Sequence, residues 1–224
     1  MRIHFTTAAL VLAFTGSLAL TAQAKKDPKA APSSAAAAAG AATTLKVDTA
    51  ASEVGWTGKK VLVESAHNGT VAIKSGTINV ADKNITGGEI VIDMNSINNK
   101  DLAASPGDKG KLEGHLKSPD FFDVAKFPTA TFKITSAKTL TAPKAGEATH
   151  ELTGDFTLKG KTHPVTFPIV ATLGADGKAE ATGTLKIDRS KWDVRYASDK
   201  FFKGLGDKVI ANDIDLSLKI VATK

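Results

Sequence analysis

The chain has 224 residues, with 29 Lys and Arg against 23 Asp and Glu, no cysteine, and aromatics at 6%. That length fits one domain or two small ones, and the missing cysteine excludes a disulfide scaffold, thiolate metal sites, a cysteine nucleophile and a lipidated-cysteine anchor. Glycine and proline number 19 and 8, ordinary usage, so the chain is neither collagenous nor mainly disordered.

Residues 1–24 read as a secretory signal peptide rather than as structure. Arg2 precedes an apolar run from Phe5 to Leu20, and Ala22-Gln23-Ala24 supplies a cleavage site. The run is shorter than the roughly 20 residues of a membrane span. Export points to a bacterial periplasm, an oxidising compartment that suits a cysteine-free chain. Residues 25–44, KKDPKAAPSSAAAAAGAATT, hold no large apolar side chain and cannot offset their ordering entropy, so they read as a disordered linker. The remaining stretch, 45–224, has a net charge of +3. That is weak for a nucleic-acid binder, which carries a concentrated basic footprint.

From Leu45 onward the apolar residues recur every second position, the pattern of half-buried strands. The sets are, in order, Val54-Trp56, Val71-Ile73, Ile78-Val80, Ile90-Ile92-Met94, Phe132-Ile134, Leu152-Phe156-Leu158, Val165 to Leu173, Leu185-Ile187 and Ile214 to Ile220. Asp82-Lys83-Asn84, Lys159-Gly160-Lys161 and Asp176-Gly177 supply turns between them. Pro168 pushes its strand toward an edge or a bulge. About eight strands with short connections predict an antiparallel sheet, as a barrel or sandwich. Asn98 to Phe127 breaks the alternation. Leu112, His115 and Leu116 share a helical face there, and Ser118-Pro119-Asp120 has the form of a second helix start. Two short helices across one end of a barrel are therefore predicted.

Catalytic patterns are sparse. There is no G-x-S-x-G elbow. Ser65 and His67 fall on one strand face, but nothing in the sequence identifies the oriented acid a triad requires. His67, His115, His150 and His163 show no metal-ligand spacing, so no metal, cofactor or catalytic residue is assigned. The aromatics are more informative. Trp56, Phe132, Phe156 and Phe167 alternate inward, Phe121, Phe122 and Phe127 come from the insert, and Trp192, Tyr196, Phe201 and Phe202 from an irregular stretch. An eight-stranded barrel is wide enough to be filled by its own side chains or to hold one small ligand. Phe201 and Phe202 in a polar loop fit either packing onto the barrel end or lining a portal.

DMNSI (Asp93 to Ile97), followed by KLEGHLKSPDFFDVAKFPTATF (Lys111 to Phe132), resembles the signature stretch of the YceI-like family of periplasmic polyisoprenoid-binding proteins. LTGDFTLKGKTHPVTF (Leu152 to Phe167), Asp188-Arg189-Ser190-Lys191-Trp192 and the closing strand Asp213 to Ala222 agree with that family, so the resemblance spans nearly all of 45–224. It implies an all-β fold: an extended eight-stranded antiparallel lipocalin-like barrel with short helices closing one end. It also implies an apolar tunnel holding an isoprenoid, a quinone or a similar chain, with no other cofactor. Trp56, His67, Ile92, Met94, Leu112, Leu116, Phe121, Phe132, Phe156 and Trp192 are the expected lipid-binding residues, and Arg189, Lys191 and Arg195 the expected cations for a head group. The region before the tunnel, Val54 to Thr70, carries fewer aromatics than the family pattern. The expected partner is an apolar lipid, without nucleic acid; transient contact with a membrane surface and homodimer formation stay open. The alternative is a self-filled barrel acting as an envelope protein-interaction or stress module.

Overall fold

The computed structural model describes residues 42–141, 144, 146–174 and 176–224. The signal peptide expected at 1–24 and nearly all of the linker expected at 25–44 lie outside the described residues. The alternating sequence forms eleven strands among the described residues: β1 (Thr43–Val47), β2 (Glu53–Lys60), β3 (Ala66–Val71), β4 (Ile73–Ala81), β5 (Asn84–Asp93), β6 (Asn98–Asn99), β7 (Thr129–Thr139), β8 (His150–Leu158), β9 (Lys161–Leu173), β10 (Ala179–Asp188) and β11 (Ile210–Thr223). β1 begins two residues ahead of the linker boundary read from composition.

Eight of these strands close a ring in the order β1-β4-β5-β7-β8-β9-β10-β11, and pairing of Lys46 with Thr223 and Val47 with Ala222 joins its two ends. This is a closed antiparallel barrel, one of the two forms the alternation allows and the one the family resemblance implies. β11, at 14 residues, outruns β1. The chain turns at Asp48, whose Oδ1 accepts the Ala50 and Ala51 N–H groups at 2.9 and 3.0 Å, and β2 then pairs the earlier part of β11 from Lys219 to Ile210. The β2–β3 hairpin therefore continues the wall where β1 stops, and β6 pairs β3 beyond it. Val71 and Ile73, read as one strand, straddle the break between β3 and β4. Ala72 leaves the ladder there, donating to Ser96 Oγ and accepting from the Asp93 N–H.

The turns follow the sequence signals. Asp82-Lys83 and Lys159-Gly160 both have positive φ at their two central residues, the mirror-image geometry that suits the twist of a tight hairpin. Pro168 lies at a local edge of its strand rather than at a bulge. It sits where β9 leaves β10: the β9–β10 ladder runs only from Leu173 to Ile169, whereas β8 pairs β9 along its length. Trp192 fills that gap, 1% exposed, with its ring 5.5 Å from Phe156 and 5.1 Å from His163 and its Nε1–H donating to the Phe156 carbonyl at 3.0 Å.

Two helical expectations change. The insert holds one α-helix, α1 (Pro106–Lys117), not two. Ser105-Pro106-Gly107-Asp108 starts it. Ser118 ends it, because its Oγ–H donates to the His115 carbonyl at 2.8 Å and closes the last turn. Met94, expected on a strand face, opens a 3-10 turn capped by Asp93, whose Oδ1 accepts the Asn95 N–H at 3.0 Å; the side chain stays buried.

The core runs around the inside of the ring, from Leu45 and Val47 through Ile90, Ile134, Leu152 and Phe167 to Ala222. Phe132 lies against Phe167 at 5.6 Å and over Gly154, where a Cβ would stand 2.5 Å from the Phe132 ring and 2.5 Å from the Lys133 carbonyl oxygen. Gly154→Ala should therefore cost about 1–3 kcal/mol by overpacking, measured as a lower Tm. An unchanged Tm would show that strand and ring give way freely.

Candidate functional site

The barrel is not filled by its own side chains. Two adjoining cavities run along its interior, one of about 280 Å³ beneath α1 and one of about 90 Å³ toward the β9–β10 turn. Val54, Ile92, Phe156 and Leu216 border both and form the neck between them. Together they reach the lower end of the size range of small-molecule sites, and like those sites they are walled by apolar side chains with few polar groups.

The structure brings eight of the ten expected lining residues to the larger chamber: Trp56, His67, Ile92, Met94, Leu112, Leu116, Phe121 and Phe156. Phe132 lines the smaller one. Trp192 lines neither, since it wedges behind the wall at the β9–β10 gap. The choice of aromatics passed over aliphatic positions that border the chambers as closely, among them Val54, Ala130, Ile187, Ile214 and Leu216. Their signal was present in the alternation, which turns every second residue inward whatever its size.

The expected head-group cations are placed otherwise. Arg189 is 1% exposed. Its Nε, Nη1 and Nη2 donate to the carbonyls of Ala211, Val194 and Ile210 at 3.0, 2.7 and 3.1 Å, and only its flank borders the larger chamber. Burial pulls the guanidinium down to about 10, still charged at neutral pH. It ties the 3-10 turn after β10 to the start of β11. Lys191 and Arg195 are exposed and line neither chamber. Arg195 is paired with Asp193 and stacks on the Phe201 ring.

Polar groups gather at one end of the larger chamber, where Lys59, Lys60, Ser65 and His67 border it. His67 Nδ1 lies 2.8 Å from Asp101 Oδ2. Burial alone would raise the Asp101 carboxyl; the Asn68 N–H at 2.8 Å, the His67 ring and the Asn99 amide at 2.6 Å outweigh it and hold it below the usual range. An ionised Asp101 accepts only, so neutral His67 carries its proton on Nδ1 and leaves Nε2 as an acceptor. Asp101 is thus the oriented acid that no spacing revealed. Ser65 Oγ makes no hydrogen bond to His67 among the described residues, so the three do not form a nucleophilic relay.

Of the remaining histidines, His115 stands edge-on to Phe121 and Tyr196 at 5.1 and 4.5 Å. His163 Nε2 contacts the Lys191 carbonyl at 3.0 Å. His150 is buried, which lowers its tendency to protonate.

The YceI-like domain family matches residues 45–222. The chain belongs to that family. A UPF0312 protein of Pseudomonas fluorescens (strain SBW25) is 39% identical over 110 residues, 49% of this chain and 53% of that one. A UPF0312 protein of Pseudomonas putida (strain W619) is 36% identical over 110 residues. The chain spans about half the length of the curated relatives it matches. Among solved structures, Burkholderia cenocepacia BcnA superposes with a TM-score of 0.58 at 23% identity, covering 79% of this chain and 99% of that one. A polyisoprenoid binding domain from Saccharophagus degradans superposes with a TM-score of 0.55 at 13% identity, covering 80% and 97%. At these identities the two structures share the fold of this YceI-like chain.

α1 roofs the larger chamber through Leu112 and Leu116, yet none of its residues is buried. It contains Gly107, Gly110 and Gly114, and nothing lies within 4 Å of a Cβ built at any of them. The helix is thus held at glycine's low propensity with no steric reason for it. Gly110→Ala and Gly114→Ala should each slow amide exchange across α1 about two- to fivefold, the equivalent of about 0.5–1 kcal/mol. Unchanged exchange would contradict a marginally stable roof.

Proposed function

We propose that this protein is a binding protein of the periplasm that carries or stores one apolar chain of the polyprenoid or quinone type inside its barrel. The observation that carries the reading is the pair of chambers joined by the Val54–Ile92–Phe156–Leu216 neck, walled mostly by apolar side chains, with Lys59, Lys60, Ser65 and His67 gathered at one end of the larger. A long, thin, apolar molecule with one polar terminus has the complementary shape. Burying about 300 Å² of such a chain at about 25 cal/mol per Å² is worth roughly 7 kcal/mol before the costs of association, so affinity needs no ion pair. The polar terminus would rest near Lys60, Ser65 and His67.

The polyisoprenoid binding domain of Saccharophagus degradans supports the ligand class through the same fold. The signal-like sequence of residues 1–24 supports export, and among the described residues no helix is long and apolar enough to cross a membrane. Two findings favour binding over catalysis: Ser65 does not reach His67, and the one buried cation on the chamber wall, Arg189, is held by three carbonyls.

A series of prenols of increasing length tests the reading. Affinity should rise with chain length until both chambers are filled. Leu216→Trp, which closes the neck, should weaken the longest prenols at least about tenfold while sparing those that fit the larger chamber alone. Affinity independent of length, or a Leu216→Trp variant that binds long prenols as well as the wild type, would overturn it.

A further inference from the structure

The large hydrophobic side chains exposed among the described residues are Val61, Leu62, Val63, Tyr196, Phe201 and Phe202. They come from two loops far apart in sequence, and both loops meet at the polar end of the larger chamber. The Val61 N–H donates to the Val209 carbonyl at 3.0 Å, Lys60 pairs Ile210, and the Ile210 N–H donates to the Ala197 carbonyl at 2.9 Å. The Tyr196 ring lies 5.2 Å from Phe121, a chamber residue, and the Phe201 and Phe202 N–H groups both donate to the Ser198 carbonyl. Leu62, 66% exposed, and Phe202, 48% exposed, line neither chamber. They face outward around its opening, where Lys59 and Lys60 are themselves exposed.

Unpaired lysines gather at the same place. Residues 59–65 and 195–209 hold six Lys and Arg; Lys59, Arg195 and Lys200 pair with Asp215, Asp193 and Asp188 from outside these loops. Lys60, Lys203 and Lys208 make no ion pair among the described residues. Soluble monomers seldom gather their exposed apolar side chains into one patch. A second copy is a poor occupant for this one, because a two-fold contact would bring the unpaired Lys60, Lys203 and Lys208 of both copies into one apolar interface. Aromatic and aliphatic side chains interspersed with lysine match the interface of an anionic bilayer.

We propose that the 61–63 and 196–202 loops dock on an anionic phospholipid bilayer and seat the chamber's mouth in the interface, so that a chain passes between bilayer and barrel without crossing water. The inference rests on the chain-binding reading and adds the surface from which the chain is taken or to which it is given. Flotation of the full chain with vesicles tests it. Binding should be strong to vesicles containing phosphatidylglycerol, weaker to pure phosphatidylcholine, and reduced by salt.

Leu62→Ser combined with Phe202→Ser should lower binding at least about tenfold while leaving uptake of a water-dispersed short prenol, measured without vesicles, unchanged. Lys203→Glu with Lys208→Glu should remove the preference for phosphatidylglycerol. No vesicle binding by the full chain overturns the proposal, as does binding that neither pair of substitutions alters. A dimer in solution that the Leu62→Ser, Phe202→Ser variant dissolves would assign the patch to a second copy instead. Loss of prenol uptake with vesicle binding intact would count against the carrier reading and leave the docking surface standing.

Discussion

Everything in this barrel depends on β11 being longer than the strand that closes the ring beside it. A backbone of 14 residues in extended conformation presents N–H and C=O groups along its length, and buried ones must be paired. β1 pairs only the last of them. β2 takes up the rest, entering after the Asp48 turn and running from Lys219 to Ile210. One side of β11 is thus served by two strands in succession, and the wall is longer than any single pairing would make it. The apolar side chains that line the wall leave two adjoining chambers along its axis.

The same extension places the chemistry. The β2–β3 hairpin projects past the ring and carries His67 and Ser65 to the mouth, while β6, behind it, brings Asn99 and the adjacent Asp101 against His67. Arg189 performs the matching task on the opposite side, tying the turn after β10 to the start of β11 with three hydrogen bonds. Removing the donors would leave the buried Val194 carbonyl and its neighbours unpaired, a costly state in a low-dielectric site. α1 completes the roof with leucines but gains little stability of its own. The interior therefore has rigid sides, a loosely held cover and a rim of apolar loops.

Much of this was legible in the sequence, and the reasons differ by element. Strands β5 and β7 to β11 follow from alternation, and the Asp82-Lys83 and Lys159-Gly160 turns from local chemistry, because both signals are carried by neighbours in the chain. The helix was misjudged because the glycines of its first turns hid the Ser105-Pro106-Gly107-Asp108 start, while Ser118-Pro119-Asp120 has the same form and serves to end it. Arg189 could not be read as buried, because two of the three carbonyls that hold it, those of Ile210 and Ala211, come from the start of β11, 21 and 22 residues away. Asp101 is the clearest case of a candidate-site residue without a sequence signal: it lies 34 residues from His67, and the β3–β6 pairing brings them together. Of the residues expected to line the interior, those on regular strands border a chamber, and Trp192, where the strands part, does not.

The central claim is that the interior is a site for a chain rather than a packing defect. Native mass spectrometry of the protein purified without detergent from its own cell envelope, with an organic extract analysed in parallel, tests it most directly. The account predicts one adduct per chain, of the mass of an isoprenoid or quinone, recovered in the extract. A bare mass that stays unshifted after incubation with prenols, quinones and fatty acids would contradict it.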